Sequence, residues 1–466
     1  MVTRRLGITL LFILFLSANL VLCAVSLAPY TEYTDPFGSQ SLLADWDFES
    51  LPSSEEIATA EKLIIQIATM GKGDPLYVWF GHSAIVVTDL RNGRKVMYDY
   101  GVFSFDDDFY QTFAMGRLNY EVWATSAEAR FDLARQEDRD IRLLTLDLSP
   151  QSKLALVKFL NFNILPENQT YLYHHYDENC ATRIRDIINS AVGGQFKSWA
   201  QSVPSEYTIR QHVMRHTSFS PFIDWVLNFL QSGRIDTPIS VWEAMFLPAV
   251  MEQALKDFSY TDDTGTIKPL VMEREVLYTQ SPQSSRVLVL ETYQPMVLPA
   301  LFFALALGLG AVLFTRLFLR SHSVAVRRFS HVLLGLINWS WTAAAGICST
   351  VLVFMVAFTS HDVTYGNENI IFANPWLLVM SLWSFQVLFG NRKALVRFQK
   401  SSSVLTVATL LLILAKGLFP DLLIQQNWAV ILTMLPLYLL NSTFSFKKLC
   451  AFLNREDPPG IQERIV

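Results

Sequence analysis

Cys180 is the only one of four cysteines that falls in the long water-soluble stretch of the chain. Cys23 lies in an apolar N-terminal run, Cys348 inside a membrane-length apolar segment and Cys450 just beyond the last such segment, so no intradomain disulfide is open to Cys180. It stands in the string Asn179-Cys180-Ala181-Thr182-Arg183-Ile184-Arg185-Asp186. Asn179 is a good N-cap, and the pattern after it predicts a helix with Cys180 in its first turn, near the positive end of the dipole. Arg183 and Arg185 add positive charge nearby. Each of these features lowers a thiol pKa and raises the thiolate fraction. The residues point to a nucleophile rather than to a buried structural cysteine.

A thiol nucleophile needs a base that can also protonate a leaving group. Val78 to Val87 reads as a strand, Arg91-Asn92-Gly93 as a hairpin turn and Lys95 to Tyr100 as the return strand. His82 sits on the first strand among Gly81, Ser83 and Ala84, small neighbours that leave room for a ligand or a helix. His174 and His175 compete, because they precede Cys180 by only five or six residues. With Cys180 they imitate a metal site, but the paired ligand spacing of a structural zinc site is missing, so no metal is expected. His212 and His216 lie at i, i+4 without the glutamate of a zinc protease and read as surface histidines. Asp106-Asp107-Asp108 reads as a solvated turn. There is no Gly-x-Ser-x-Gly elbow, phosphate-binding loop or dinucleotide fingerprint, and no cofactor is implied. The Cys/His pair remains, and its chemistry is acyl transfer or hydrolysis of an amide or ester.

The elements that carry this pair belong to a chain of 466 residues, 51% hydrophobic, too apolar to be wholly soluble. The excess is localised. Arg4 and Arg5 precede an uncharged run from Leu6 to Tyr30, which reads as a signal peptide or signal anchor over 1–30. Residues 50–290 have ordinary globular character and enough length for one substantial core. Over 294–445 about five spans are expected: Met296 to Thr315, Val332 to Phe358, Ile370 to Gly390, Ser401 to Pro420 with Lys416 inside it, and Leu422 to Leu440. The last two also fit a re-entrant hairpin. Basic residues fill the first connection (Arg316, Arg320, Arg327, Arg328) and the third (Arg392, Lys393, Arg397, Lys400), and Lys447 and Lys448 follow the last span. The second connection carries Asp362 and Glu368 instead. The positive-inside rule then puts the globular domain outside the cytoplasm and the 446–466 tail inside it, and the N-terminal signal requires the same side. A net charge of −5 gives no reason to expect a nucleic-acid partner.

Several ordered strings carry a family resemblance: Phe80-Gly81-His82-Ser83-Ala84, Tyr100-Gly101-Val102-Phe103, Phe113-Ala114-Met115-Gly116, Tyr171-Leu172-Tyr173, the Asn179 to Asp186 string and Phe246-Leu247-Pro248. In this order they resemble the Lnb family, bacterial lipoprotein N-acyltransferases with a periplasmic catalytic domain followed by a membrane domain. The resemblance covers roughly residues 55 to 290, and the multi-span tail is similar. It implies Cys180 as nucleophile and His82 as base. The order of histidine before cysteine is also similar to that of permuted papain-like enzymes, which raises the expectation for the fold more than for the substrate. The expected fold class is therefore α+β, a permuted papain-like extracytoplasmic domain followed by an all-α membrane domain. Tyr98, Asp99 and Tyr100 on the return strand are candidates to hold the His82 ring. Asn179 is a candidate for the oxyanion hole beside the Cys180 N–H, or simply the cap.

The resemblance implies a two-step transfer at the bacterial inner membrane. An acyl chain leaves a membrane phospholipid for Cys180 as a thioester, then passes to the α-amine of the lipidated N-terminal cysteine of a diacylated lipoprotein. The lipid bilayer is then also a partner, and apolar residues such as Trp225, Phe229 and Leu230 are candidates to line the lipid path or to form ordinary core. A membrane-tethered cysteine amidase or peptidase of the envelope is the enzymatic alternative. A non-catalytic envelope scaffold, with Cys180 merely buried, is the other.

Overall fold

The computed structural model describes residues 53–103, 109–282 and 288–444. The apolar segment 1–30, the Asp106-Asp107-Asp108 triplet and the 446–466 tail lie outside the described residues. The chain forms two compact units. One takes the described residues up to Phe219 together with Thr237–Tyr293; the other takes Ser220–Asp236 and the chain from Gln294 onward.

The first unit is built on a seven-stranded sheet whose neighbouring strands all run antiparallel. Its strands are β1 (Leu63–Met70), β2 (His82–Asp89), β3 (Arg94–Val102), β4 (Leu118–Ser126), β5 (Ile141–Leu146) and β6 (Thr170–Tyr173). After the short pair β7 (Ser259–Thr261) and β8 (Ile267–Pro269), β9 (Val271–Tyr278) completes it, in the order β6-β4-β3-β2-β1-β5-β9. The expected strand from Val78 starts four residues late. Leu76–Val78 forms a 3-10 turn instead, and Gly81, at φ +82°, redirects the chain into β2.

Alternate residues of a strand face opposite sides of a sheet. Ile85, Val87, Tyr98 and Tyr100 join the larger core, with Leu156 and Leu160 of the helix Pro150–Asn163 and Ile184 and Ile188 of the helix Cys180–Ala191. Ala84, Val86 and Met97 join a smaller core on the other face, closed by Phe131 of the helix Ala127–Gln136. By this alternation His82 falls in step with Ala84, and Asp99 with Met97. One periodicity puts both on the same face.

The second unit is helical. Val297–Arg320, Val324–Phe358 and Arg392–Leu418 are long and apolar enough to cross a membrane, three candidate spans among the described residues rather than five. The apolar run from Ile370 to Gly390 opens with a 3-10 turn, and its α-helix is only Trp376–Val387. The run from Leu422 becomes the helix Trp428–Asn441. At 1.5 Å per residue these two reach about 18 and 21 Å, short of a hydrocarbon core of about 30 Å.

The amphipathic helix Pro221–Leu230 belongs to this helical unit, although its sequence lies within the 50–290 range. Trp225 and Leu230 pack against the unit's core and Phe229 is wholly buried in it, so none of the three lines a lipid path in the sheet unit. The helix end is held by polar groups. Asn367 donates to the carbonyls of Phe229 and Leu230 at 3.0 and 2.9 Å, Asn369 to Phe229 at 2.9 Å, and Gln425 to Gln231 at 2.9 Å. These are the C-terminal carbonyls that a helix cannot satisfy internally. Asp362 pairs with Arg234, and Glu368 with Lys416. The two acids of the second connection are thus buried and paired.

Lys416 also donates to the carbonyls of Leu423 and Gln425. Removing one partner of such a buried pair costs about 3–5 kcal/mol, because the other charge is left unpaired. Lys416→Met should therefore destabilise the detergent-solubilised protein strongly in denaturant unfolding. The double replacement Glu368→Gln, Lys416→Met should recover most of the loss. Equal losses in the single and double variants would mean that the pair is not the interaction at stake.

Candidate active site

Asn179 and Cys180 form the junction that places the thiol. Asn179 Oδ1 accepts the N–H groups of Ala181 and Thr182 at 2.9 and 3.0 Å, and Thr182 Oγ1 accepts the Asn179 N–H at 2.7 Å. The Asn179 side-chain amide donates to the carbonyls of His175 and Phe246, each at 2.9 Å. Both of its N–H groups are therefore used in fixing the loop, and none is left for an oxyanion. Cys180 opens the helix, so its own N–H has no intrahelical acceptor.

The β2–β3 ladder runs from Asp89↔Arg94 to Ile85↔Tyr98 and stops there. His82–Ala84 and Asp99–Val102 continue without pairing to each other, and β3 is irregular between Tyr100 and Val102. Gly101, at φ +85°, sits in that irregular stretch, and a Cβ built on it would lie 3.7 Å from the Cys180 Cβ. The start of the helix thus enters where the two strands part. The Cys180 thiol lies near enough to the His82 ring and the Ser83 backbone N–H for both to favour its charged form. His82 Nε2 donates to Asp99 Oδ1 at 2.5 Å, which leaves Nδ1 as the ring nitrogen for the thiol. Asp99 Oδ2 pairs with Arg130, at 2.6 Å, from the helix Ala127–Gln136.

Of the three candidates to hold the His82 ring, the structure brings Asp99 to it. Tyr98 and Tyr100 point to the other face, where their hydroxyls donate to Asn161 and Asn163, each at 2.7 Å. Arg183 and Arg185 do not reach the thiol as free charges. Arg183 pairs with Glu178 and lies 4.7 Å over the Tyr171 ring; Arg185 pairs with Asp186 and lies 4.0 Å over Trp242. His174 Nδ1 accepts the N–H groups of Tyr176 and Asp177, and His175 meets the Tyr173 ring edge. His212 and His216 are not surface residues. They are only 4% and 6% exposed, and burial holds their pKa values down at about 3 and about 4. Arg130 has no sequence signal, since only the fold brings it to Asp99.

Burial alone would disfavour a charged His82, yet the Asp99 charge, the Cys180 charge and hydrogen bonds to both push its pKa up to about 10. Burial likewise favours a neutral Cys180 thiol, but the His82 charge and hydrogen bond and the Ser83 N–H hold it below its ordinary value. Asp99 is kept low against burial by His82 and Arg130. The favoured form is a thiolate beside an imidazolium, which can attack a carbonyl carbon and then protonate the departing group.

Residues 53–215 match the family model described as the Lnb N-terminal periplasmic domain. The resemblance carried by the ordered motifs is thus shown over this part of the chain, which contains His82, Asp99 and Cys180. The chain matches no curated protein and no solved structure.

Two predictions test the charge arrangement. With a protonated His82 beside it, Cys180 should be alkylated by iodoacetamide with an onset at lower pH than an ordinary thiol shows. In His82→Ala the cation is gone and burial acts alone, so the onset should move to or above the ordinary thiol range of about 8.5. Coincident profiles would refute the ion pair. Asp99→Asn keeps the side-chain shape and removes the balancing charge. The His82 titration should then move down, and acylation by an activated ester should slow by about 10²–10⁴-fold. Unchanged titration and rate would leave Asp99 with no positioning role.

Proposed function

We propose that the protein is an acyltransferase with Cys180 as nucleophile and His82 as acid–base, positioned by Asp99 in a permuted papain-like arrangement. The observation that carries this reading is the Cys180–His82–Asp99 constellation inside a segment that matches the Lnb periplasmic domain. The thiolate attacks an ester carbonyl of a membrane phospholipid. The C–O bond breaks, His82 gives its proton to the departing alkoxide, and a thioester remains on Cys180 beside a lysophospholipid. The neutral α-amine of the lipidated N-terminal cysteine of a lipoprotein then attacks. His82 takes the proton released from that amine, the C–S bond breaks, and the thiolate is restored with the N-acylated product.

Ring contacts beside the thiol support an apolar substrate. Tyr173, 3.7 Å from the Cβ position of Gly101, stacks on Tyr120 at 4.3 Å; Tyr120 stacks on Phe103 at 5.0 Å; Phe103 meets the exposed Tyr77 at 6.0 Å. A chain of aromatic faces offers an acyl tail dispersion contacts and excludes the water that would hydrolyse a thioester. The spanning helices on the same chain fit a location at the bacterial inner membrane, with the catalytic domain facing the periplasm.

The test uses the full-length protein in a strain depleted of its own apolipoprotein N-acyltransferase, with mass spectrometry of lipoprotein N-termini. Wild type should restore N-acylation, and Cys180→Ala should abolish both the product and the hydroxylamine-sensitive acyl adduct on the enzyme. Cys180→Ser should be nearly inactive, since the site favours a thiolate. Counting ester chains in the product separates a phospholipid donor, which leaves the lipoprotein's own two in place, from transfer within the lipoprotein. Release of free fatty acid alone would indicate a hydrolase, and full activity in Cys180→Ala would end the thioester mechanism.

A further inference from the structure

The Tyr171 hydroxyl differs from those of Tyr98, Tyr100 and Tyr260, buried phenols of the same unit. Tyr98, Tyr100 and Tyr260 each donate to a defined acceptor: Asn161, Asn163 and the Asp147 carbonyl. Tyr171 is 3% exposed, and its hydroxyl has no hydrogen-bond partner among the described residues. A buried polar group left unmade is costly, so its retention calls for a use.

Its position supplies one. The point where a side chain at Gly101 would begin lies 3.7 Å from the Cys180 Cβ, 3.7 Å from the Tyr173 ring and 3.8 Å from the Tyr171 hydroxyl oxygen. Because Gly101 carries no side chain, these three groups border one notch beside the thiol. The Tyr171 ring is fixed by the Arg183 guanidinium 4.7 Å over its face and by Tyr100, whose centroid is 6.2 Å away. Burial holds the phenol well above its ordinary pKa, and the Cys180 charge acts in the same direction, so it keeps its proton. A rigid, protonated donor with no other acceptor, beside a nucleophile, meets the requirement for stabilising a developing oxyanion.

We propose that the Tyr171 hydroxyl is a catalytic hydrogen-bond donor that, with the Cys180 N–H, binds the oxyanion formed when Cys180 attacks an acyl carbonyl. As the S–C bond forms, the carbonyl π pair moves onto oxygen. Tyr171 and the Cys180 N–H stabilise that charge without giving up their protons. The pair returns when the C–O bond to the leaving group breaks. The role takes over what Asn179 cannot supply, and it rests on Cys180 as nucleophile, not on the identity of the natural donor.

Tyr171→Phe removes one oxygen that has no partner, so the full-length variant should fold as the wild type does. Two reactions at Cys180 separate the outcomes. Acylation by a p-nitrophenyl ester passes through an oxyanion whatever the natural substrate; alkylation by iodoacetamide displaces iodide and forms none. Tyr171→Phe should slow acylation by about 10²–10³-fold, the range for loss of one oxyanion donor, with alkylation within about twofold of wild type. Unchanged acylation, or acylation and alkylation falling together, would overturn the proposal, the second by making Tyr171 a support of the thiol. A wild type acylated by the activated ester but never by a lipid ester would remove the lipid donor and leave the Tyr171 role standing. A wild type acylated by neither would remove the nucleophile and this role with it.

Discussion

A negative sulfur inside a folded domain is expensive, because burial withdraws the water that would solvate it. Here the cost is offset through a relay of charge that crosses the sheet where β2 and β3 part. Arg130 steadies Asp99, Asp99 steadies a protonated His82, and His82 steadies the Cys180 thiolate. The charges alternate in sign along this line, so each is stabilised by the next. The parting of β2 and β3 beyond Ile85↔Tyr98 matters for the same reason: it is where a helix from one face can reach a histidine aligned with the other.

Much of this was legible from residue types. Asn179 as a cap and Cys180 at a helix start depend on local chemistry, and the structure has both. The hairpin that carries His82 was readable from its turn and its β-branched strands, although Gly81 and the 3-10 turn before it delay the first strand. The choice among Tyr98, Asp99 and Tyr100 was not readable without knowing which face of the sheet each side chain takes. Strand alternation decides it once the faces are known. Arg130 and Tyr171 lie farther from reach, since one acts through a packed helix and the other is marked by a missing partner. The arginines after Cys180 looked like electrostatic support because sequence proximity hides Glu178 and Asp186, which pair with them.

Hydropathy located the helical unit but overstated how its later segments run. An apolar stretch records composition, whereas a span also needs unbroken helix. Asn374-Pro375 opens one helix late and Asn427 precedes another, leaving elements of twelve and fourteen residues. Polar side chains in those joints are held by one another and by the carbonyl end of the Pro221–Leu230 helix. Lys416, read from sequence as an interruption, is an anchor point because Glu368 is placed to receive it.

The chain leaves the sheet unit at Ser220 and returns to it at Thr237, having given the helical unit one of its own core helices. The two units therefore cannot be separated by a single cut along the sequence. A soluble fragment ending before the first spanning helix would carry Trp225, Phe229 and Leu230 with nothing to bury them. It would also leave Arg234 without Asp362. Evolution meets the same constraint: exchanging the membrane part for another anchor would require rewriting seventeen residues in the middle of the sheet unit's sequence as well as those that follow it.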